Sequence, residues 1–174
     1  MPPSTITAEF AAANDSFAKL REPKLTPVVP SRHVAVSPIA VTCMDSRIDV
    51  FRLLGLSEGE AHVIRNGGGR ASDALRSLVA SQRALETREI AIFHHTDCGF
   101  THFKEPELRE KIKSAEGPGI SQYVDSIPFM PFEDPAQSVV EDVEYLKTHP
   151  LILKETKISG WVHDLHSGKI RQVV

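Results

Sequence analysis

Three short β-rich runs, each followed by a cluster of polar or reactive residues, constrain this chain more than any other feature. They are Ile39-Ala-Val-Thr-Cys43, Ala61-His-Val-Ile-Arg65 and Glu89-Ile-Ala-Ile-Phe-His94. Each is rich in apolar and β-branched residues and has the length of a buried strand. Segments of helical period lie between and around them. Residues 5–21 place Phe10, Ala13, Phe17 and Leu20 on one face. Residues 49–56 read as a short helix. Residues 73–86 read as a longer one behind Ser72 as N-cap, with Leu75, Leu78, Val79 and Leu85 mostly on one side. Residues 105–115 read as a charged helix, and 135–148 as an amphipathic one with Val139, Val140, Val143 and Leu146. Lys157–His163 is a fourth strand. After the turn His166-Ser-Gly-Lys169, Ile170–Val173 gives a short antiparallel finish. Strands alternating with helices specify an α/β fold with a mainly parallel sheet, a short antiparallel edge strand and flanking helices. Such sheets present ligand sites at the carboxyl ends of their strands.

With 174 residues, the chain fits one domain over 1–174. Residues 1–33 form an N-terminal helical arm, closed by a Pro-rich stretch from Pro23 to Pro30. That arm is expected to pack on a partner subunit. The net charge of −3 gives no electrostatic footprint for nucleic acid or an anionic membrane. No apolar run approaches the roughly 20 residues that span a bilayer. The N-terminus lacks a basic start with an apolar core, which points to the cytoplasm. Of the chemistry-bearing residues, cysteine is the scarcest: Cys43 and Cys98 alone. In a chain of that compartment, a metal or catalytic role outranks a disulfide.

Both cysteines sit in motifs at strand ends. Cys43-Met-Asp45-Ser-Arg47 follows the first strand, and His95-Thr-Asp-Cys98 follows the third. Neighbouring parallel strands bring the two clusters together. Cys43, His95 and Cys98 are then three ligands of the kind zinc takes. Three protein ligands leave a fourth position open, which is the arrangement of a catalytic site. Asp45 shares a side with Cys43 on an extended segment. Its carboxylate is expected either to ligate the metal as a fourth ligand or to accept a hydrogen bond from activated water. Arg47 keeps that carboxylate ionised and oriented. Gly67, Gly68 and Gly69 follow the second strand at the same edge, where their backbone N–H groups are placed to hold an anion such as bicarbonate. His94 precedes a ligand on its strand and is expected on the opposite side.

Thr42-Cys43-Met44-Asp45-Ser46-Arg47, Val63-Ile64-Arg65-Asn66 with its glycine loop, and His95-Thr96-Asp97-Cys98-Gly99 resemble the β-class carbonic anhydrases in order and spacing. The short length and the Trp161-Val-His-Asp and Ser-Gly-Lys169 ending resemble the compact branch of that family. That resemblance implies a four-stranded parallel sheet with an extra strand, in a homodimer or dimer of dimers whose N-terminal helices embrace the partner. It implies one zinc ion per chain on Cys43, His95 and Cys98, with Asp45 and Arg47 as a catalytic dyad. The implied reaction is hydration of carbon dioxide to bicarbonate by zinc-activated hydroxide. Carbonyl sulfide and carbon disulfide hydrolases of the same branch resemble the chain equally in these residues, so release of hydrogen sulfide is the alternative. The family's loop often reads Asn-Ala-Gly-Gly, and here Gly67 takes the alanine place.

Two other classes fit less well. A cysteine phosphatase spaces its Cys and Arg further apart and surrounds them with glycines. A zinc-bearing regulator would bind the metal and turn nothing over.

Overall fold

The strand runs pair as their composition requires. The computed structural model describes residues 6–20 and 38–174. In chain order the elements are α1 (Ile6–Leu20), β1 (Pro38–Cys43), α2 (Val50–Leu54), β2 (His62–Asn66), α3 (Ala71–Ala84), β3 (Glu89–His95), α4 (Glu105–Glu116), α5 (Ser121–Asp125), α6 (Pro135–Thr148), β4 (Lys157–His163) and β5 (Ile170–Gln172). The sheet order is β2-β1-β3-β4-β5. The first four strands are parallel, and β5 runs antiparallel against β4. This is the expected α/β architecture, with the short antiparallel strand at one edge. The Pro-rich stretch and the remainder of the 1–33 arm lie outside the described residues. On α1, Phe10 and Phe17 are both more than half exposed. No described helix is long and apolar enough to cross a membrane.

Alternation along β1 and β3 divides the core in two. Ile39 and Val41 of β1 and Ile90 and Ile92 of β3 face α3 and α6, where they meet Ala71, Ala74, Leu78, Val139, Val143 and Leu146. Ala40 and Phe93 turn to the other face, with Val50 of α2, Ile48 and Cys98; Cys43, the last residue of β1, leaves the alternation and joins them. Trp161 packs there against Phe93, with ring centroids 6.1 Å apart. The cysteines therefore belong to the smaller cluster.

One end of α3 is built differently from the expectation. Ser72 does not cap it. The helix begins at Ala71, and its first free N–H donates to Asp142 Oδ2 of α6 at 2.9 Å. Ser72 Oγ instead contacts Met130 Sδ at 3.0 Å. A buried carboxylate from a distant helix replaces the local hydroxyl because the same carboxylate serves three elements. It also takes Arg70 Nη2 at 3.2 Å and His94 Nε2 at 3.2 Å. Asp142→Ala takes the acceptor from the buried Ala71 N–H and the carboxylate from the Arg70 guanidinium. It should lower unfolding free energy by about 2 kcal/mol in urea denaturation. A change below about 0.5 kcal/mol, the size of an ordinary surface substitution, would contradict the role.

Candidate metal centre

Cys43 is the last residue of β1, and β3 runs alongside with Thr42 opposite Phe93. Both strands therefore release their chains at one sheet edge, where His95 ends β3. The chain then makes a tight turn through Asp97, whose φ is +51°. That turn returns Cys98 to the core, with its Sγ 3.8 Å from Cys43 Sγ. One ligand atom each from Cys43, His95 and Cys98 lies within 4.8 Å of the others, and all three residues are buried. His95 Nδ1–H donates to the Thr96 carbonyl at 2.9 Å, which leaves the Nε2 lone pair free. That Nε2 is buried without a hydrogen-bond partner among the described residues. Two sulfurs and an orphaned imidazole nitrogen at this spacing fit zinc with one position left open.

The electrostatics are those of a site prepared for a cation. The Cys43 thiol is pushed well below its ordinary range, chiefly by the hydrogen bond from Cys98; burial opposes this, while His95 and backbone N–H groups of Asp45 and Gly68 support it. Cys98 moves up for the reciprocal reason, beside the Cys43 sulfur and out of water. Burial pulls His95 down, but the Cys43 sulfur and the Thr96 carbonyl outweigh it and raise it overall.

Asp45 and Arg47 stand beside this cluster as a bidentate pair. Arg47 Nε donates to Asp45 Oδ1 at 2.9 Å and Nη2 to Oδ2 at 2.7 Å. The hydrogen bond from Arg47 holds the Asp45 carboxyl far below the usual carboxylate range. Asp45 Oδ2 lies 3.9 Å from His95 Nε2. Of the two settings open to Asp45, the structure shows the one paired with Arg47.

The glycine turn packs onto the cluster. Gly68 and Gly69 have φ near +74° and +73°. A Cβ on Gly69 would lie 3.0 Å from Cys43 N and Thr42 C, which are backbone atoms that cannot yield. A Cβ on Gly67 would strike the far end of the Phe100 ring, a side chain that can swing aside about χ1. Phe100 thus fills the space that an alanine methyl would take. Gly69→Ala should therefore cost about 2 kcal/mol in urea unfolding, through left-handed strain and the fixed contact. Gly67→Ala should cost less than half of that, and equal losses would contradict this account.

His94 does lie on the opposite side. Its Nε2 is 3.2 Å from the Gly69 carbonyl, and its ring stacks on Phe132. Three contributors escaped notice in the sequence. Arg65 holds the motif backbone, donating from Nε to the Cys43 carbonyl at 2.9 Å and from Nη2 to the Asp45 carbonyl at 2.5 Å. Asp97 accepts from Arg47 Nη1 at 2.8 Å. Phe100 covers the glycine turn. Asp97 stands inside the His95–Cys98 motif, and a polar residue in so short a turn was the available signal. Arg65 stood in the Val63–Asn66 motif with no role attached to it, and Phe100 gave no signal. Of the other described histidines, His163 lies beside His95 in register and is buried, and burial pushes it down. His102 is exposed, 3.3 Å from Asp97 Oδ1.

The chain is similar to known proteins along most of its length. A family model described as carbonic anhydrase matches residues 38–170. β-Carbonic anhydrase 1 of Mycobacterium tuberculosis is 38% identical over 170 residues, covering 97% of this chain and 98% of its own. A carbon disulfide hydrolase of Acidianus sp. is 32% identical over 152 residues, covering 76% of this chain and 74% of its own. Among solved structures, a carbonic anhydrase from Streptococcus mutans superposes with a TM-score of 0.88 at 38% identity, covering 99% of both chains. One from Glaciozyma antarctica does so at 0.86 and 43%, covering 94% of this chain and 95% of that one.

Proposed function

Because the chain belongs to the β-carbonic anhydrase family, we propose that it hydrates carbon dioxide to bicarbonate at the centre formed by Cys43, His95 and Cys98. The observation that carries this is the convergence of three buried donor atoms beside an arginine-held carboxylate. Cys43, His95 and Cys98 would hold one zinc ion per chain. Bound there, zinc acts as a Lewis acid and brings the pKa of a water from 15.7 to about 7. The chain's own residues do the rest. Asp45 Oδ2 accepts a hydrogen bond from the attacking water and so points a lone pair at the substrate carbon. Arg47 keeps Asp45 ionised and in place. Thr96 fixes the His95 tautomer through Nδ1–H. The backbone of Gly67, Gly68 and Gly69 is the proposed seat for the bicarbonate anion.

The 32% identity to a carbon disulfide hydrolase favours a second reading, hydrolysis of carbonyl sulfide or carbon disulfide at the same centre. Both are attacks on the carbon of a linear molecule, with sulfur leaving as hydrogen sulfide in the second. The test is zinc content, then stopped-flow carbon dioxide hydration and sulfide release from carbonyl sulfide on one sample. Fast hydration with slow sulfide release supports the first reading, and the reverse rates support the second. Zinc with neither activity would sink both.

The working unit we propose is a homodimer or dimer of dimers of single-domain 1–174 subunits in the cytoplasm. The 1–33 arm packs on the partner, a placement supported by the exposed Phe10 and Phe17 of α1. Sedimentation velocity tests the assembly, and a monomer at micromolar concentration would overturn it.

A further inference from the structure

Arg47 is held from two sides, by two carboxylates that belong to different motifs. Asp45 takes its Nε and Nη2. Asp97 takes Nη1 on Oδ2 at 2.8 Å and Nη2 on its main-chain carbonyl at 2.8 Å. Both edges of the guanidinium are thus filled. The carbonyl contact depends on the turn, because Asp97 sits at φ +51°, a conformation Asp, Asn and Gly accept more readily than other residues. His102 flanks the far side of Asp97, with Nε2 3.3 Å from Oδ1.

Asp97 acts on the Asp45–Arg47 pair in two opposed ways. It competes with Asp45 for one positive charge, which weakens the pair. It also fixes a long side chain whose rotamer freedom would otherwise be lost each time the pair forms, which strengthens it. The Arg47 side chain is 50% exposed and that of Asp97 64%. Solvent screens charge competition at such exposure. Immobilisation is not screened, so the anchoring effect wins.

We propose that Asp97 is a positioning residue that acts through Arg47 to keep the Asp45 carboxylate off the metal centre and the open position free for water. The proposal rests on the assignment of Cys43, His95 and Cys98 as metal ligands. Loss of Asp97 lets Asp45 compete for the open position and lowers the competent fraction of the enzyme.

Two variants separate the carboxylate from the backbone. Asp97→Gly accepts φ +51° without strain and deletes the side chain. Asp97→Asn also tolerates that φ but keeps an acceptor for Arg47 Nη1. Zinc-loaded protein is titrated calorimetrically with thiocyanate, an anion that takes the open position, and assayed for carbon dioxide hydration. Asp97→Gly should keep its zinc and its melting temperature. Its thiocyanate affinity and its kcat/KM should fall together, each about tenfold, as expected when one population change underlies both. Asp97→Asn should recover part of both. In an Asp45→Ala background the competing carboxylate is gone, so Asp97→Gly should leave thiocyanate affinity unchanged. Losses below about twofold in the single variant would overturn the proposal. So would an equal loss of affinity in the Asp45→Ala background, since that would mean Asp97 acts without Asp45. Wild-type protein that binds thiocyanate but hydrates no carbon dioxide would overturn the proposed activity, and the titrations would still judge Asp97.

Discussion

Cys43→Ser should give a folded protein that retains no zinc after dialysis against a chelator and has lost more than about a thousandfold in hydration rate. Serine keeps the position and removes the chemistry. Its hydroxyl is protonated at neutral pH, so it offers zinc no anionic donor, and its oxygen is a harder ligand than sulfur. Cys98 and His95 then remain as two donors where a catalytic zinc needs three. Loss of a partner hydrogen-bonded to a ligand costs 10–100-fold in metal affinity, and loss of a ligand itself should exceed that about hundredfold limit. Without the metal, water returns toward its bulk pKa of 15.7, which is the source of the large rate loss. The fold should survive. Cys43 is buried among Ala40, Ile48, Val50 and Phe93, but the backbone N–H of Gly68 that faces its sulfur gives a hydroxyl a partner. Circular dichroism and metal analysis on one preparation check both halves. Close to one zinc per chain after dialysis would show that Cys43 is not a ligand.

The parts of this centre that were legible in the sequence are those encoded by neighbours along the chain. The apolar runs before Cys43 and before His95 fix two parallel strands, and parallel strands release their chains at one edge. The convergence of three candidate ligands and the Asp45–Arg47 pair follows from that alone, because each lies within a few residues of a strand end. What stayed hidden depends on contacts between elements far apart in sequence. Ser72 is of a residue type that caps helices, yet Asp142 caps α3 from 71 residues away. It wins because it also meets Arg70 and His94. No pattern in the α3 segment carries that information. Phe100 against Gly67 is of the same kind, since a ring and a missing methyl complement each other only after the two loops meet. Arg65 lay in plain view at the end of β2, but its targets are main-chain carbonyls of another strand, which have no signature in side-chain types.

Asp45→Ala should bind zinc as the wild type does and lose about a hundredfold or more in kcat/KM, the usual worth of a well-placed proton acceptor. Zinc should stay because Asp45 Oδ2, 3.9 Å from His95 Nε2, is paired with Arg47 and contributes nothing to the three-donor set. Activity should fall because the variant loses the carboxylate that Arg47 holds beside the centre. Asp45→Asn discriminates between two explanations. It keeps an acceptor oxygen of the same reach, so partial recovery would assign the loss to orientation of the water, and no recovery would assign it to charge. The pH profile adds a signed expectation. Arg47 holds the Asp45 carboxyl far below the usual carboxylate range, so it is ionised throughout the assay and cannot set the acid limb of the wild-type rate. Its removal takes a negative charge from beside the reacting water and leaves Arg47 with Asp97 alone. Both changes favour the deprotonated form of that water, so the midpoint should move to lower pH while the plateau falls. An unchanged plateau would remove Asp45 from the chemistry. A midpoint moved to higher pH would mean that the carboxylate stabilises the deprotonated form of that water, against the shift expected from charge alone.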